Sequence, residues 1–196
     1  MHKCIDTYTA QKVAIMEKKL DIKIDERMEA ILNRKFEQCY AENKFKQAVG
    51  IGLETKRIDV VRDSIERSKN PENMLGYAFT LAIETIKSKD FREAILNMIM
   101  EVYESREDGN DHDYYKIAKC QFHLNRPDLT SKLLMKLLTS TKDDEYLIAY
   151  QIAFDVVEKE IQSFNLSVIQ QINAAATAAN LVNDPKFVKL LTILKG

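Results

Sequence analysis

Apolar side chains recur every three to four residues along almost the whole chain, which is the spacing of one face of an α-helix. One clear stripe runs from Tyr114 through Ile117, Ala118 and Gln121 to Phe122. Similar stripes follow one another with only short interruptions. The pattern therefore predicts a chain built from helices along its whole length.

Capping residues divide this pattern into separate helices. Asn70 before Pro71 predicts a helix start, because Asn accepts a bond from a free N–H and Pro suits the first helical position. Asp25 is a second predicted N-cap, and residues 126–127 (Arg-Pro) mark another boundary. Asn43 is predicted to end one helix and to cap the next.

The later helices are also indicated by their apolar positions. We expect helices around Val168–Ala179 and Pro185–Leu194, and a loop at residues 108–111. The longest predicted helix carries its apolar stripe at Leu147, Tyr150, Ile152, Phe154, Val157 and Ile161. We expect Phe154 on this stripe to be buried.

About ten helices with short connections define the predicted fold class. Short connections make sequence neighbours antiparallel, and stacked helix pairs bury a continuous core. We therefore predict an all-α fold of stacked antiparallel helix pairs (an α-solenoid), in one helical-repeat domain over residues 1–196. The segments at 44–49 and 90–95 resemble each other at a 46-residue period, close to that of HEAT-like repeats.

Composition supports the helical prediction and narrows the function. Only five glycines and three prolines occur in 196 residues, too few for the tight turns of a β-rich protein. Residues 1–70 carry 15 basic and 12 acidic side chains (+3), and residues 71–196 carry 14 and 18 (−4). This mild asymmetry argues against nucleic acid or an anionic membrane as a partner.

Cysteine usage and the terminus bear on the cell compartment. Three distant cysteines predict no disulfide framework and favour a reducing compartment. The N-terminus lacks the apolar stretch of a secretory signal, and no run approaches the about 20 apolar residues of a membrane helix. We expect an intracellular protein.

Two segments resemble metal sites at first sight. Cys120 and His123 can share one helix face, but zinc needs about four ligands, and His112 lies in a separate loop. Residues 108–113 have the composition of a calcium loop. Asp113, however, stands where the loop needs Gly, and Lys119 stands where it needs Glu. We predict no metal site.

Catalytic and nucleotide motifs are also missing from the sequence. No G-x-S-x-G element and no G-x-x-x-x-G-K-S/T phosphate loop occurs. Gly50-Ile51-Gly52 lies inside a helical pattern, where it is predicted to let a neighbouring helix approach closely. We predict no enzyme, no catalytic or cofactor-binding residue, no cofactor and no small-molecule substrate.

Aromatic and basic side chains are the remaining surface candidates. Stacking platforms for single-stranded nucleic acid need a basic groove beside them, so packing is the favoured role of Tyr40, Tyr77, Tyr103, Tyr114, Tyr115 and Tyr150. A basic run comprises Lys56, Arg57, Arg62, Arg67 and Lys69. Helical ion pairs of Arg62 with Asp59 and of Arg67 with Asp63 explain most of it; part of it remains a candidate partner contact.

Several collinear blocks carry a family resemblance: residues 4–8, 24–31, 45–60, 147–155 and 167–170. The strongest block begins Phe45-Lys46-Gln47-Ala48-Val49-Gly50-Ile51-Gly52-Leu53. Together they resemble the N-terminal helical region of the family of the largest non-ATPase subunit of the 26S proteasome regulatory particle. The resemblance covers nearly the whole chain.

The resemblance implies a function for the chain. Members carry a helical rod, then a ring of helical repeats, then a tail with a ubiquitin receptor. The ring and the tail are absent here, so we expect a fragment of a longer subunit. The implied role is a non-catalytic scaffold for ubiquitin-dependent degradation in cytoplasm and nucleus, with other regulatory-particle subunits as partners.

Two other functions remain as alternatives. One is a helical-repeat adaptor that binds a peptide motif outside the proteasome. The other is an RNA-binding helical repeat, which the near-neutral charge disfavours. The sequence does not indicate which residues would bind a partner.

Overall fold

The computed structural model describes residues 2–18, 25–105, 113–142 and 144–196, and its regular structure in these ranges is entirely α-helical. This confirms the all-α prediction, with eleven described helices where about ten were expected. The helices are α1 His2–Lys18, α2 Glu26–Ala41, α3 Phe45–Glu54, α4 Ile58–Glu66, α5 Pro71–Thr85, α6 Lys89–Ser105, α7 Tyr114–His123, α8 Pro127–Leu138, α9 Glu145–Glu158, α10 Gln162–Ala178 and α11 Pro185–Lys195.

The predicted helix starts are confirmed by their capping bonds. The Asp25 carboxylate accepts a bond of 2.9 Å from the Arg27 N–H, which satisfies one free donor of α2. The Asn70 side-chain oxygen accepts a bond of 3.0 Å from the Asn73 N–H. Pro71 then occupies the first turn of α5, where no N–H bond is needed.

Five of the described helices are followed by a residue in the left-handed conformation, and none of these five residues is glycine. Asn43, Lys56, Asn125, Glu160 and Asn180 all have φ between 51° and 58°. After four of these helices, the N–H of the third residue past the helix end bonds back to a carbonyl of the last turn and closes the turn. These bonds are Lys44 N–H to Cys39 O (2.8 Å), Arg57 to Gly52 (2.8 Å), Arg126 to Gln121 (3.0 Å) and Leu181 to Ala176 (2.9 Å). Short turns therefore join helices without many glycines.

The prediction that Asn43 caps the following helix is wrong, although Asn43 does end α2. The tight turn places Asn43 in the left-handed position, so the N-cap of α3 falls one residue later, on Lys44. Lys44 has no acceptor in its side chain and makes no capping bond.

The chain divides into two compact units, residues 1–102 and 103–196. In the first unit, α2 to α5 pack onto their sequence neighbours, and α3 also packs on α5. The same core cluster contains Tyr8 of α1, Leu32 and Phe36 of α2, Ala48 of α3 and Val60 of α4. Apolar residues that are far apart in sequence thus share one core.

The second unit has two layers of helices. Helices α7, α9 and α11 pack side by side in one layer, and α8 and α10 form the other. Within the second layer, the Ser131 hydroxyl of α8 donates to the Gln171 side-chain oxygen of α10 at 2.9 Å. Within the α7–α8 pair, Thr130 donates to Gln121 at 3.1 Å. Stacked antiparallel helix pairs are the observed arrangement, as predicted.

The predicted stripe of α9 is partly wrong, and Phe154 is the clearest correction. Phe154 is 60% exposed, and Leu147 is 49% exposed. Tyr150 and Ile152 of the predicted stripe are buried, as expected, together with Ala149, Ala153 and Val156. Leu147 and Phe154 lie on the same side of the helix as the exposed Gln151 and Glu158, so their apolar character alone assigned them to the wrong face. The helix also ends at Glu158 and does not reach the predicted position 161.

The 46-residue similarity does not mark successive helix pairs. Its first copy opens α3 and its second copy lies at the start of α6, three helices later. Paired repeats would place equivalent helices an even number apart. Val49 and Ile95 nevertheless occupy matching, fully buried positions in the two copies.

In the parts of the chain that the structure describes, no helix combines the length and the hydropathy needed to cross a bilayer.

Candidate interaction surface

The Cys120–His123 pair does not form a binding site in the structure. Cys120 is 1% exposed inside the second unit, whereas His123 is exposed on the same helix. Burial raises the pKa of the Cys120 thiol to about 12, so the thiol stays protonated at neutral pH. Metal ligation requires the thiolate. The described residues contain no cluster of three or more His, Cys, Asp or Glu that could hold a metal.

The calcium-like segment falls mostly on residues 106–112, outside the described part of the chain, and so does His112. Its last position, Asp113, is described and caps α7. The Asp113 carboxylate accepts a bond of 3.1 Å from the Lys116 N–H and pairs with the Lys116 ammonium at 2.7 Å. This carboxylate therefore serves the helix start.

The two glycines of α3, Gly50 and Gly52, differ in their surroundings. A Cβ on Gly52 would lie 3.0 Å from Val61 Cγ2 and 3.4 Å from the Arg57 carbonyl oxygen. Gly52 therefore allows α3 and α4 to approach closely, as predicted. A Cβ on Gly50 would meet nothing within 4 Å, so the same prediction is wrong for Gly50.

The six tyrosines singled out from the sequence lie under cations. Tyr103, Tyr114 and Tyr150 are buried and the other three are half-buried, which agrees with the packing role. The cation-to-centroid distances are 4.8 Å for Arg67–Tyr40, 5.4 Å for Lys46–Tyr77, 5.9 Å for Lys116–Tyr103, 5.4 Å for Lys136–Tyr114, 4.4 Å for Lys119–Tyr115 and 5.2 Å for Lys189–Tyr150. A ring face covered in this way is less open to a nucleobase.

The basic run is largely neutralised by contacts within the first unit. Arg57 binds Asp59 through two nitrogens, and the bond from its Nε measures 2.9 Å. This guanidinium holds the pKa of Asp59 below its ordinary value. Arg62 pairs with Glu101 on α6, so the predicted Arg62–Asp59 pair is replaced by a contact between helices.

Of the remaining residues in the basic run, Arg67 and Lys56 contact other side chains, whereas Lys69 is exposed. Arg67 pairs with Asp63 at 3.6 Å, as predicted. The Lys56 ammonium lies 4.2 Å from the centre of the Phe91 ring. Lys69 is exposed and forms no ion pair with the other described residues. The charge of Lys69 is therefore open to a partner.

Lys69 borders a surface groove of about 380 Å³ in the first unit. The turn between α2 and α3 forms one wall with Lys44 and Lys46, and the turn between α4 and α5 forms the other with Lys69 and Asn73. We call this the lysine groove. None of the residues that line it is acidic.

A second groove of about 360 Å³ lies between α7 and α8 in the second unit. Its walls carry charges of both signs, which are Glu104, Lys132 and Lys136. Apolar side chains, among them Ile117 and Leu133, complete its lining. The mixed charge gives this groove little preference between acidic and basic ligands.

Stacked helix pairs, cation-covered rings and open surface grooves are features of an all-α helical-repeat protein. The family model described as "26S proteasome subunit RPN2, N-terminal domain" matches residues 1–196. The chain therefore belongs to the family of 26S proteasome subunit RPN2, also called non-ATPase regulatory subunit 1. The resemblance read from the sequence blocks is thereby confirmed.

Curated relatives agree with this assignment. The chain is 36% identical over 175 residues to the 26S proteasome non-ATPase regulatory subunit 1 of Drosophila melanogaster, which covers 89% of the chain. It is 34% identical to homolog A of the same subunit from Arabidopsis thaliana over 90% of the chain. It is 28% identical to the 26S proteasome regulatory subunit rpn2 of Schizosaccharomyces pombe. The chain spans only 17–18% of the length of these relatives.

Proposed function

We propose that this chain is a non-catalytic scaffold segment of the proteasome regulatory particle, active in cytoplasm and nucleus. It would hold neighbouring subunits in place and so support ubiquitin-dependent protein degradation. The observation that carries the proposal is the family match over the full 196 residues. Its partners would be other proteins of the particle, and it would need no cofactor.

The surface chemistry supports a role in protein contacts. Large apolar side chains stand in solvent on the second unit, among them Phe154 (60% exposed) and Leu166 (59%). Burying such side chains against a partner is favourable by about 25 cal/mol per Å² of apolar area. The Cys120 thiol is buried, and Arg57 and Arg62 form ion pairs within the chain, so these groups are less open to a partner.

Sedimentation tests this proposal. A tagged copy of the chain is expressed in its source cells, and 26S proteasomes are isolated through a different subunit and spread on a gradient. We expect the chain in the fractions that hold assembled regulatory particle. A chain found only in fractions of free protein, with the particle intact, would contradict the proposal. Peptidase activity of the fractions checks that the particle survived.

We also propose that residues 1–196 form a single helical-repeat domain, and short connections between successive helices support this. A single domain unfolds in one transition whose calorimetric and van't Hoff enthalpies agree. Two resolved transitions, abolished separately by core substitutions in residues 1–102 or 103–196, would show two domains instead.

A further inference from the structure

The lysine groove combines a positive rim with an apolar floor. Lys44 and Lys46 stand on one side and Lys69 on the other, all three exposed. Between them lie the half-buried ring of Phe45 and the buried side chain of Met74. A volume of about 380 Å³ falls at the low end of the range of about 300–1,000 Å³ for ligand pockets.

The charges of the rim are only partly used inside the protein. Lys44 pairs with Glu42 at 2.6 Å, and the Lys46 ammonium lies 5.4 Å from the centre of the Tyr77 ring. Lys69 has no charged partner among the described residues. No lining residue is acidic, so the lining itself carries net positive charge, while Glu42 beside it is engaged by Lys44. A carboxylate placed there would gain charge-assisted bonds with ammonium groups.

The floor is held rigidly by its aromatic contacts. The Phe45 ring stacks on Tyr40 with centroids 6.1 Å apart, and Arg67 lies over the other ring of this pair at 4.8 Å. Met74 is 5% exposed and forms part of the groove lining beside Phe45. A ligand with one large apolar side chain can therefore place it on a preformed floor.

We propose that the lysine groove binds an acidic segment of a partner protein, anchored by one aromatic or large aliphatic side chain. Carboxylates of the segment would meet Lys46 and Lys69, and its anchor would rest on Phe45 and Met74. The side-chain amide of Asn73 would donate a further hydrogen bond. This deepens the proposed scaffold function, on which it rests, by assigning one docking point and the chemistry of its partner.

A protein segment fits the groove better than RNA does. Nucleic-acid recognition of single strands needs open ring faces beside a continuous basic path. Here the faces of Tyr40 and Tyr77 are covered by cations, and the basic residues before the groove are paired. An acidic peptide needs only the local rim and the floor.

Fluorescence anisotropy with the whole 196-residue chain tests the proposal. The probe is a fluorescein-labelled Glu-Glu-Phe-Glu-Glu peptide at about 0.15 M salt, where charges beyond about 8 Å are screened. Comparison peptides replace Phe with Ala or every Glu with Lys. A short oligouridine of equal charge serves as the nucleic-acid probe.

Two matched variants separate the groove from general charge. Lys46→Glu/Lys69→Glu reverses the rim, whereas Arg34→Glu/Lys87→Glu makes the same charge change elsewhere on the first unit. Like-charge contacts weaken binding strongly, so we expect the rim variant to weaken the Glu-Glu-Phe-Glu-Glu peptide about tenfold or more. We expect less than a twofold change in the control variant. A second rim variant, Lys46→Gln/Lys69→Gln, removes the two charges without reversing them. Circular dichroism of both rim variants checks that their helices are still folded.

The outcomes are distinct. Selective loss in the rim variants, together with weaker binding of the Ala peptide, supports the proposal. Equal weakening in the control variant, no binding of the acidic peptide at millimolar concentration, or equal binding of oligouridine would overturn it. If the chain sediments normally with the regulatory particle but does not bind the peptide, only the proposed binding of an acidic segment in the lysine groove is rejected. Absence from the particle would reject the scaffold function independently of the peptide result.

Discussion

Gly52 of α3 faces Val61 of α4 so closely that a Cβ on Gly52 would lie 3.0 Å from Val61 Cγ2. Val61 is fully buried and, as a β-branched residue, has little freedom to turn away. The two helices can pack this closely because residue 52 has no Cβ. Gly50, two residues earlier on the same helix, has no such neighbour.

Alanine substitutions at these two glycines should act in opposite directions. Gly52→Ala forces Val61 aside, and we expect a loss of about 1 kcal/mol in unfolding free energy after the helix-propensity gain is deducted. Gly50→Ala should gain about 0.5–1 kcal/mol, because only the entropy of the glycine changes. Urea denaturation measures both. Equal stabilisation by the two variants would show that α3 and α4 do not meet at Gly52.

Two phenylalanines of the second unit provide a matched test of burial. Phe164 is 5% exposed and meets Phe122 edge to face, with centroids 5.6 Å apart. We expect Phe164→Ala to cost about 3–5 kcal/mol. Phe154→Ala removes a side chain that is 60% exposed and should change stability by less than about 0.5 kcal/mol. A large loss at Phe154 would show that the other face of α9 is packed.

Phe154 also shows where sequence reasoning reaches its limit. Helix boundaries were predictable, because capping side chains such as Asn70 act on backbone groups within three residues. The packed face of α7 was predictable because its apolar stripe is narrow. Leu147 and Phe154 of α9 were misplaced, because they are large apolar residues on the side of the helix that also carries Gln151 and Glu158. Their exposure depends on where the neighbouring helices pack, which the apolar pattern alone does not give.

The lysine groove was beyond the sequence for a related reason. Lys69 was recognised as part of a basic run, but its neighbours in that run turned out to be paired. Lys44 and Lys46 lie over twenty positions away and join Lys69 only because alternate turns of a helical stack share one edge. The predicted fold could have indicated this proximity. In stacked helix pairs, the turn between α2 and α3 and the turn between α4 and α5 are expected at the same edge.

The left-handed residue after α9 offers a third prediction. Glu160 has φ of 53°, a conformation that costs an L-residue about 1 kcal/mol or more and costs glycine nothing. We expect Glu160→Gly to stabilise the chain by up to about 1 kcal/mol in urea denaturation. Glu158→Gly, inside the last turn of α9, serves as the control and should destabilise by a similar amount. If both variants lost stability equally, Glu160 would not end the helix as described.

Burial of Cys120 predicts slow thiol chemistry. Its pKa of about 12 leaves almost no thiolate at pH 8, and thiolate is the reactive form. Alkylation with iodoacetamide, followed by peptide mass spectrometry, should label Cys120 far more slowly in the folded chain than in guanidinium. Equal rates in both conditions would rule out the buried position.

The same thiol should make stability fall at alkaline pH. The unfolded thiol ionises near pH 8.5, well below the folded one, so its contribution is complete below pH 8.5 and declines as pH rises toward 12. Between pH 7.5 and pH 10, the unfolding free energy of the wild-type chain should fall by up to about 2 kcal/mol more than that of Cys120→Ala. Parallel pH curves for the two proteins would show that Cys120 ionises freely in the folded state.

The proposed scaffold function requires that this chain contact other subunits inside an assembled regulatory particle. Amine crosslinking of purified 26S proteasomes that contain the chain, read by mass spectrometry, tests that claim directly. We expect crosslinks from lysines of this chain, including Lys46 or Lys69 beside the groove, to lysines of other regulatory-particle subunits. Crosslinks confined to the chain itself, in particles whose other subunits crosslink normally, would contradict the scaffold function.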